Sequence, residues 1–233
     1  MRKKAFIITL ILCLSSILLT GFIKDSTTTI EASNQLSPSS INLKQKTPDE
    51  ALQILKDGNT RFINDKSCLI NVNKDRREQL KSGQNPYAVV VSCSDSRVSP
   101  PLIFNVGLGD LFEIRLAGNV IDTSALASIE YAVKYLNTPL IVIIGHEDCG
   151  AVKSAYNMIK NGEVYSDNLT ELLKKIEGSV RKSSTIEEAI KLNIFNSANL
   201  ISEDSIINNK VHTGKLKVIK GYYNLDGKVD FLL

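Results

Sequence analysis

The chain has 233 residues, 43% of them hydrophobic and 23% charged, with a formal net charge of +3 at pH 7. That is the composition of an ordinary globular protein, long enough for one domain with a full apolar core. Four positive charges (Arg2, Lys3, Lys4, Lys24) and two negative ones (Asp25, Glu31) fall in the first 32 residues, so the remainder carries only +1. Nothing in that remainder marks a nucleic-acid surface.

Arg2-Lys3-Lys4 is a basic n-region, and Ala5 to Leu19 is a nearly unbroken apolar run. Residues 1–32 therefore read as an export signal, with the protein expected to be secreted or held at the extracytoplasmic face of the cell membrane. The apolar run continues through Phe22 and Ile23, which leaves an uncleaved membrane anchor open. Gly21 and Ala32 are the candidate cleavage points, and Cys13 lies inside the apolar run rather than where a lipid anchor needs it. Residues 33–46 are polar and aperiodic and read as a flexible linker, with the folded domain at 47–233.

The domain opens on Thr47-Pro48-Asp49-Glu50, a helix start with Thr47 as N-cap and Glu50 in the capping-box place. Ala51, Leu52, Leu55 and Phe62 mark one face of that helix, and a second short helix is expected over about 74–81. Gly83-Gln84-Asn85-Pro86 turns into the apolar, β-branched run Tyr87–Ser92, a buried strand. A second strand is expected over 111–116, a helix from Thr123 to Tyr135, and a third strand over 140–145. A helix beginning at Ala151 follows, then helices over about 169–180 and 185–202, a strand at 216–219, and a last strand at 229–232. Strands alternating with helices predict an α/β fold of three layers, a mostly parallel central sheet flanked by helices.

Chemistry concentrates where two of these strands end. The first runs into Cys93-Ser94-Asp95-Ser96-Arg97, the third into His146-Glu147-Asp148-Cys149-Gly150. In open α/β sheets ligands bind at the C-terminal ends of the strands. Parallel neighbours would bring two sulfurs and an imidazole to one point, a donor set for zinc. Cys93, His146 and Cys149 are the candidate metal ligands, with Asp95 or water in the fourth position. A Cys93–Cys149 disulfide is the rival reading for an exported protein, but it leaves His146, Asp95 and Arg97 without a purpose. Arg97 can hold Asp95 off the metal through a paired, charge-assisted hydrogen bond, which makes the two a gate on metal access. A purely structural ion pair is the other reading of Asp95 and Arg97. Two thiolates offset the zinc charge, so its water is expected to ionise less readily than on three imidazoles. A hydroxide formed there would suit attack on a small uncharged carbonyl-like molecule. Amides at the start of the helix after Gly150 are expected to face the metal. Cys68 and His212 receive no role, and Glu147 and Asp148 read as solvated loop positions.

Five segments together resemble the β-class carbonic anhydrases: Cys-Ser-Asp-Ser-Arg-Val (93–98), Gly-Leu-Gly-Asp-Leu-Phe (107–112), Arg-Leu-Ala-Gly-Asn (115–119), Ser-Ile-Glu-Tyr-Ala-Val (128–133) and Gly-His-x-x-Cys-Gly-Ala-Val (145–152). The resemblance runs from about residue 47 to the C-terminus. It implies reversible hydration of CO2 to bicarbonate and a proton, with one Zn2+ per subunit held by Cys93, His146 and Cys149. It also implies a catalytic dyad of Asp95 and Arg97, and a substrate pocket formed by Gln84, Phe112, Ala117, Tyr131 and Gly150, partly from a neighbouring subunit. Such enzymes are built on dimers, so a homodimer or tetramer is expected, with the helix over 47–62 as an N-terminal arm. The chain has no tryptophan, which part of that family carries in a regulatory bicarbonate site. A hydrolase of the same fold acting on carbonyl sulfide or carbon disulfide, and a non-catalytic zinc-binding scaffold, are the competing functions.

Overall fold

The computed structural model describes residues 45–68 and 70–232. The export signal, the anchor alternative and nearly all of the linker lie outside the described residues. Among the described residues no helix is long and apolar enough to cross a membrane.

Five strands form one sheet in the order β2-β1-β3-β4-β5. They are β1 (Ala88–Ser92), β2 (Leu111–Arg115), β3 (Leu140–His146), β4 (Lys217–Tyr223) and β5 (Val229–Leu232). The first four pair in parallel, and β5 closes the edge antiparallel to β4. Every residue of β1 and β3 is buried. That is why both read as unbroken apolar runs: a parallel sheet is covered on both faces. Alternate residues serve opposite cores. Val89, Val91, Ile141 and Ile143 pack with the larger cluster, while Ala88, Val90, Leu140, Val142 and Ile144 face the smaller one. Burying each such side chain contributes on the order of 1.5–3 kcal/mol.

The larger face is covered by α4 (Thr123–Tyr135), α5 (Gly150–Tyr156), α6 (Asp167–Lys174), α7 (Glu177–Arg181), α8 (Ile186–Ser202) and α9 (Ser205–His212). The helix expected over about 169–180 is thus two helices, with a break at Lys175 and Ile176, and Ile176 is fully buried there. His212 ends α9, a helix the apolar pattern did not announce, with Nδ1 2.9 Å from the Asn208 carbonyl. On the other face lie α1 (Pro48–Ile63) and α3 (Pro100–Ile103), while α2 (Lys74–Leu80) buries no residue.

The capping box is present as the sequence predicts: Glu50 N donates to Thr47 Oγ1 at 3.2 Å, and Thr47 N donates to Glu50 Oε2 at 2.7 Å. Expected as an arm toward a second copy, α1 also seats itself on its own chain. Ala51 and Leu55 are fully buried, and Asn59 donates to the carbonyls of Ile103 and Gly227. Gly58 lets the helix approach α3, since a Cβ there would lie 1.7 Å from the Phe104 carbonyl oxygen.

From β1 the chain moves to β2 on one side and returns to β3 on the other. The C-terminal ends of β1 and β3 therefore border the switch point, where open α/β sheets bind their ligands.

Candidate metal centre

Ser92 is level with Ile144 in the parallel register, so Cys93 and His146 leave the sheet side by side. Cys149 returns to them through the two-residue turn Glu147–Asp148, in which Asp148 is left-handed, with φ of 51°. The two sulfurs are 4.0 Å apart, and the donor atoms of Cys93, His146 and Cys149 all lie within 4.8 Å of one another. Tetrahedral zinc–sulfur bonds of about 2.3 Å place two sulfurs about 3.8 Å apart, whereas a disulfide needs about 2.0 Å. The three cysteines among the described residues are free thiols.

His146 gives the clearest test of whether this donor set fits a metal. Its ring is fully buried, and Nε2 has no hydrogen-bond partner. Its Nδ1 lies 2.8 Å from the Glu147 carbonyl oxygen, which can only accept, so Nδ1 carries the proton and Nε2 presents a lone pair. A buried polar atom left unmatched is costly unless something occupies its lone pair. The sulfurs are prepared for the same guest. The Cys93 thiol is held well below its ordinary pKa, chiefly by a hydrogen bond from Cys149 and next by the adjacent His146 ring, with the Gly118 amide, 3.2 Å from the sulfur, also helping against burial. Cys149 is correspondingly raised, first by its bond to Cys93 and then by burial, while the amides of Val152 and Ala151 oppose this. Both sulfurs must be thiolates to hold a metal, so a cation bound here would displace the protons they carry. The donor set, two thiolates and one neutral imidazole, fits zinc.

Asp95 stands beside this cluster, its Oδ2 3.8 Å from His146 Nε2, but it is turned toward Arg97. Arg97 Nε donates to Oδ1 at 3.0 Å, Nη2 to Oδ2 at 2.8 Å, and the Arg97 backbone amide to Oδ1 at 2.9 Å. These bonds, the side-chain ones foremost, hold the Asp95 carboxyl down at about 2. Asp148, read from sequence as a solvated loop residue, faces Arg97 as well: its carbonyl accepts from Nη2 at 3.4 Å and its carboxylate lies 3.8 Å from Nη1.

Of the expected pocket residues, Ala117 and Gly150 lie at the cluster. Ala117 precedes the amide that bonds Cys93, and Gly150 follows Cys149, where a Cβ would meet nothing within 4 Å. Gln84, Phe112 and Tyr131 do not. Gln84 is exposed ahead of β1, and the five residues of β1 put about 17 Å of strand between it and the level of Cys93. Phe112 is level with Val89, near the start of the sheet, and stacks on Tyr131 at 6.3 Å between ring centroids. Tyr131 is itself half exposed and stacks on Tyr135 at 5.5 Å.

Support for the centre comes from residues the sequence did not single out. The turn Ala117–Asn119 carries the Gly118 amide, and buried side chains on α8 hold it: Asn193 Nδ2 donates to the Gly118 carbonyl at 2.7 Å, and Ser197 Oγ to the Asn119 carbonyl at 3.0 Å. Polar residues at positions 193 and 197, one turn apart on the face of a helix that otherwise buries Ile190, Ile194 and Ile201, are the signal that was available. A cleft of about 490 Å³ is lined by Glu147, Asp148, Ile186, Tyr222 and Asp230 and includes none of the metal-ligand candidates.

The family model for carbonic anhydrase matches residues 88–229. The chain belongs to the carbonic anhydrase family. It is 38% identical over 185 residues to carbonic anhydrase 2 of Mycobacterium tuberculosis, covering 77% of this chain and 89% of that protein. It is 44% identical over 133 residues to the carbonic anhydrase of Mycolicibacterium smegmatis, covering 57% and 65%. Among solved structures, the β-carbonic anhydrase CcaA superposes with a TM-score of 0.63 at 29% identity, covering 78% of this chain and 92% of that one, which places this member in the β class. Tetrameric β-carbonic anhydrases from Sordaria macrospora share the fold at 22% identity, with a TM-score of 0.59 and coverage of 78% and 97%.

Proposed function

We propose that this chain is a zinc-dependent carbonic anhydrase that interconverts CO2 and bicarbonate with release of a proton. The observation that carries the reading is the buried, unmatched Nε2 of His146 facing two sulfurs, with an ionised carboxylate held beside it but directed elsewhere. Zinc bound by Cys93, His146 and Cys149 supplies Lewis acidity that lowers the pKa of water toward neutrality. The remaining work falls to the chain's own groups. Asp95, held as a carboxylate by Arg97, keeps lone pairs free to accept a hydrogen bond from the reacting water and to aim it at the carbon of CO2. Arg97 fixes that direction and would keep the carboxylate turned away from a zinc held by Cys93, His146 and Cys149. Asp95 is only partly buried, so the proton has a short path to solvent.

Gln84, Phe112 and Tyr131 would then serve the site of a second copy, which makes the working unit a homodimer or tetramer. The exposed stack of Tyr131 and Tyr135 beside the edge strand β2 supports this. Export, and membrane anchoring if the leader is retained, rest on the basic and apolar pattern of residues 2–23. A reporter fused after residue 46 should appear outside the cytoplasmic membrane, and retention inside would overturn the export reading.

The central test is stopped-flow CO2 hydration on the purified protein with zinc measured on the same sample. Zinc-loaded protein should hydrate CO2, and Cys149→Ser should lose zinc and activity together. Hydration by zinc-free protein, or none by the fully loaded one, would overturn the reading. Light scattering should give at least a dimer, and a fully active monomer would contradict the shared pocket.

A further inference from the structure

We propose that Arg115 is a positioning residue of the metal centre, whose guanidinium sets the spacing between Cys93 and Asp95. Arg115 is the last residue of β2 and lies level with Ser92, the last residue of β1. The Leu116 amide donates to the Ser92 carbonyl at 3.2 Å, and there the ladder between the two strands ends. Beyond it the β1 chain leaves the sheet and no strand lies opposite. Within the loop the Asp95 carbonyl accepts from the Val98 amide at 3.0 Å and the Cys93 carbonyl from the Ser92 hydroxyl at 3.4 Å, which leaves each oxygen a second lone pair. Arg115 bonds both carbonyls, Nη2 to that of Asp95 at 2.8 Å and Nε to that of Cys93 at 3.3 Å. They belong to the two residues of this loop that carry the chemistry, one a metal ligand and the other the carboxylate beside the metal.

The guanidinium is planar and its donors are fixed relative to one another. Gripping two carbonyls two residues apart therefore fixes their separation, which a flexible ammonium making one bond cannot do. Asp95 is thus held from both ends: Arg97 grips its carboxylate and Arg115 its main chain. Two further features separate this from ordinary packing. Arg115 is exposed, so removing it opens no cavity in the core. Its charge also favours the ionised form of Glu113, two positions earlier on the same strand face, but its hydrogen bonds go to the loop. Outer contacts of this kind commonly change metal affinity or activity by about 10–100-fold.

The test compares Arg115→Met and Arg115→Lys with the wild-type full chain, by zinc content, steady-state CO2 hydration and the absorption spectrum of the cobalt(II)-substituted protein. The activity arm rests on the CO2-hydration reading, whereas the cobalt spectrum reports ligand geometry whatever the substrate. Arg115→Met should lower kcat by about 10–100-fold, with KM little changed, and should shift the cobalt bands. Arg115→Lys should recover part of both. A wild-type protein that binds cobalt but does not hydrate CO2 would refute the function, and a band shift in Arg115→Met would still support the positioning role. Wild-type kcat with an unshifted spectrum would overturn it. So would a loss confined to melting temperature, or failure of both variants to fold, since either makes Arg115 a residue of the fold and not of the site.

Discussion

Asp95 Oδ2 lies 3.8 Å from His146 Nε2, yet both oxygens of that carboxylate are taken by Arg97. A carboxylate at that distance from an unmatched imidazole nitrogen is a ligand in waiting. Arg97→Ala should release it into the fourth metal position. Zinc should remain at one per chain, because Cys93, His146 and Cys149 are untouched, while CO2 hydration falls by about 10²–10⁴-fold, the scale of losing a positioned proton acceptor. Turnover close to wild type at full zinc would show that Asp95 is not gated.

The same pair has a signature in acid. The Asp95 carboxyl is held at about 2, below the ordinary aspartate value near 3.9. A carboxyl lowered by folding contributes stability that is complete above its unfolded value and is lost as pH falls through its folded one. The contribution from Asp95 should therefore be intact above about pH 4 and vanish toward pH 2. Carbon-13 NMR of the metal-free protein should place the Asp95 midpoint near 2, moving to the ordinary aspartate range in Arg97→Ala. A midpoint that does not move would remove Arg97 as the cause.

Asn193 bears on the centre from a distance. It is buried on α8, and its amide holds the Gly118 carbonyl at 2.7 Å, while the Gly118 amide points at Cys93 Sγ. Asn193→Ala would leave a buried carbonyl unmatched and should cost about 1–3 kcal/mol of stability. Zinc affinity, read by chelator competition, should weaken along with the melting temperature. Loss of stability with unchanged affinity would confine Asn193 to the fold.

What the sequence made legible follows from what its signals encode. Cys93, His146 and Cys149 could be placed because β1 and β3 are buried runs that end at the same sheet edge, and strand ends are readable from apolar length alone. The break at Lys175–Ile176 was not readable, since the residues around it keep a helical pattern while tertiary packing buries Ile176. Arg115 carries no signal of its role beyond its motif, because its work is done on backbone carbonyls, which leave no trace in side-chain pattern. Gln84, Phe112 and Tyr131 were grouped with the metal by resemblance. Gln84 precedes β1 and Phe112 lies near the start of β2, at the end of the sheet away from Cys93, while Tyr131 packs on Phe112 from α4.

Gly118 joins the two kinds of constraint, backbone geometry and metal chemistry, in one residue. Its φ is 67°, in the left-handed region that costs other residues about 1–3 kcal/mol. An added Cβ would lie 2.7 Å from Ile176 Cδ1 and 3.2 Å from the Ala151 Cβ. Ile176 Cδ1 is a side-chain end that can rotate away, but the Ala151 Cβ is fixed to α5, the helix that begins beside Cys149. Gly118→Ala should therefore push the turn off α5 and lengthen the bond from the Gly118 amide to the Cys93 sulfur. Zinc affinity should fall together with stability. Adding Ile176→Val shortens the movable contact, and should return part of the melting temperature but little of the affinity, because the strained φ and the Ala151 contact remain. Recovery of both in the double variant would trace the whole effect to Ile176 and leave the Gly118 amide without a part in holding the metal.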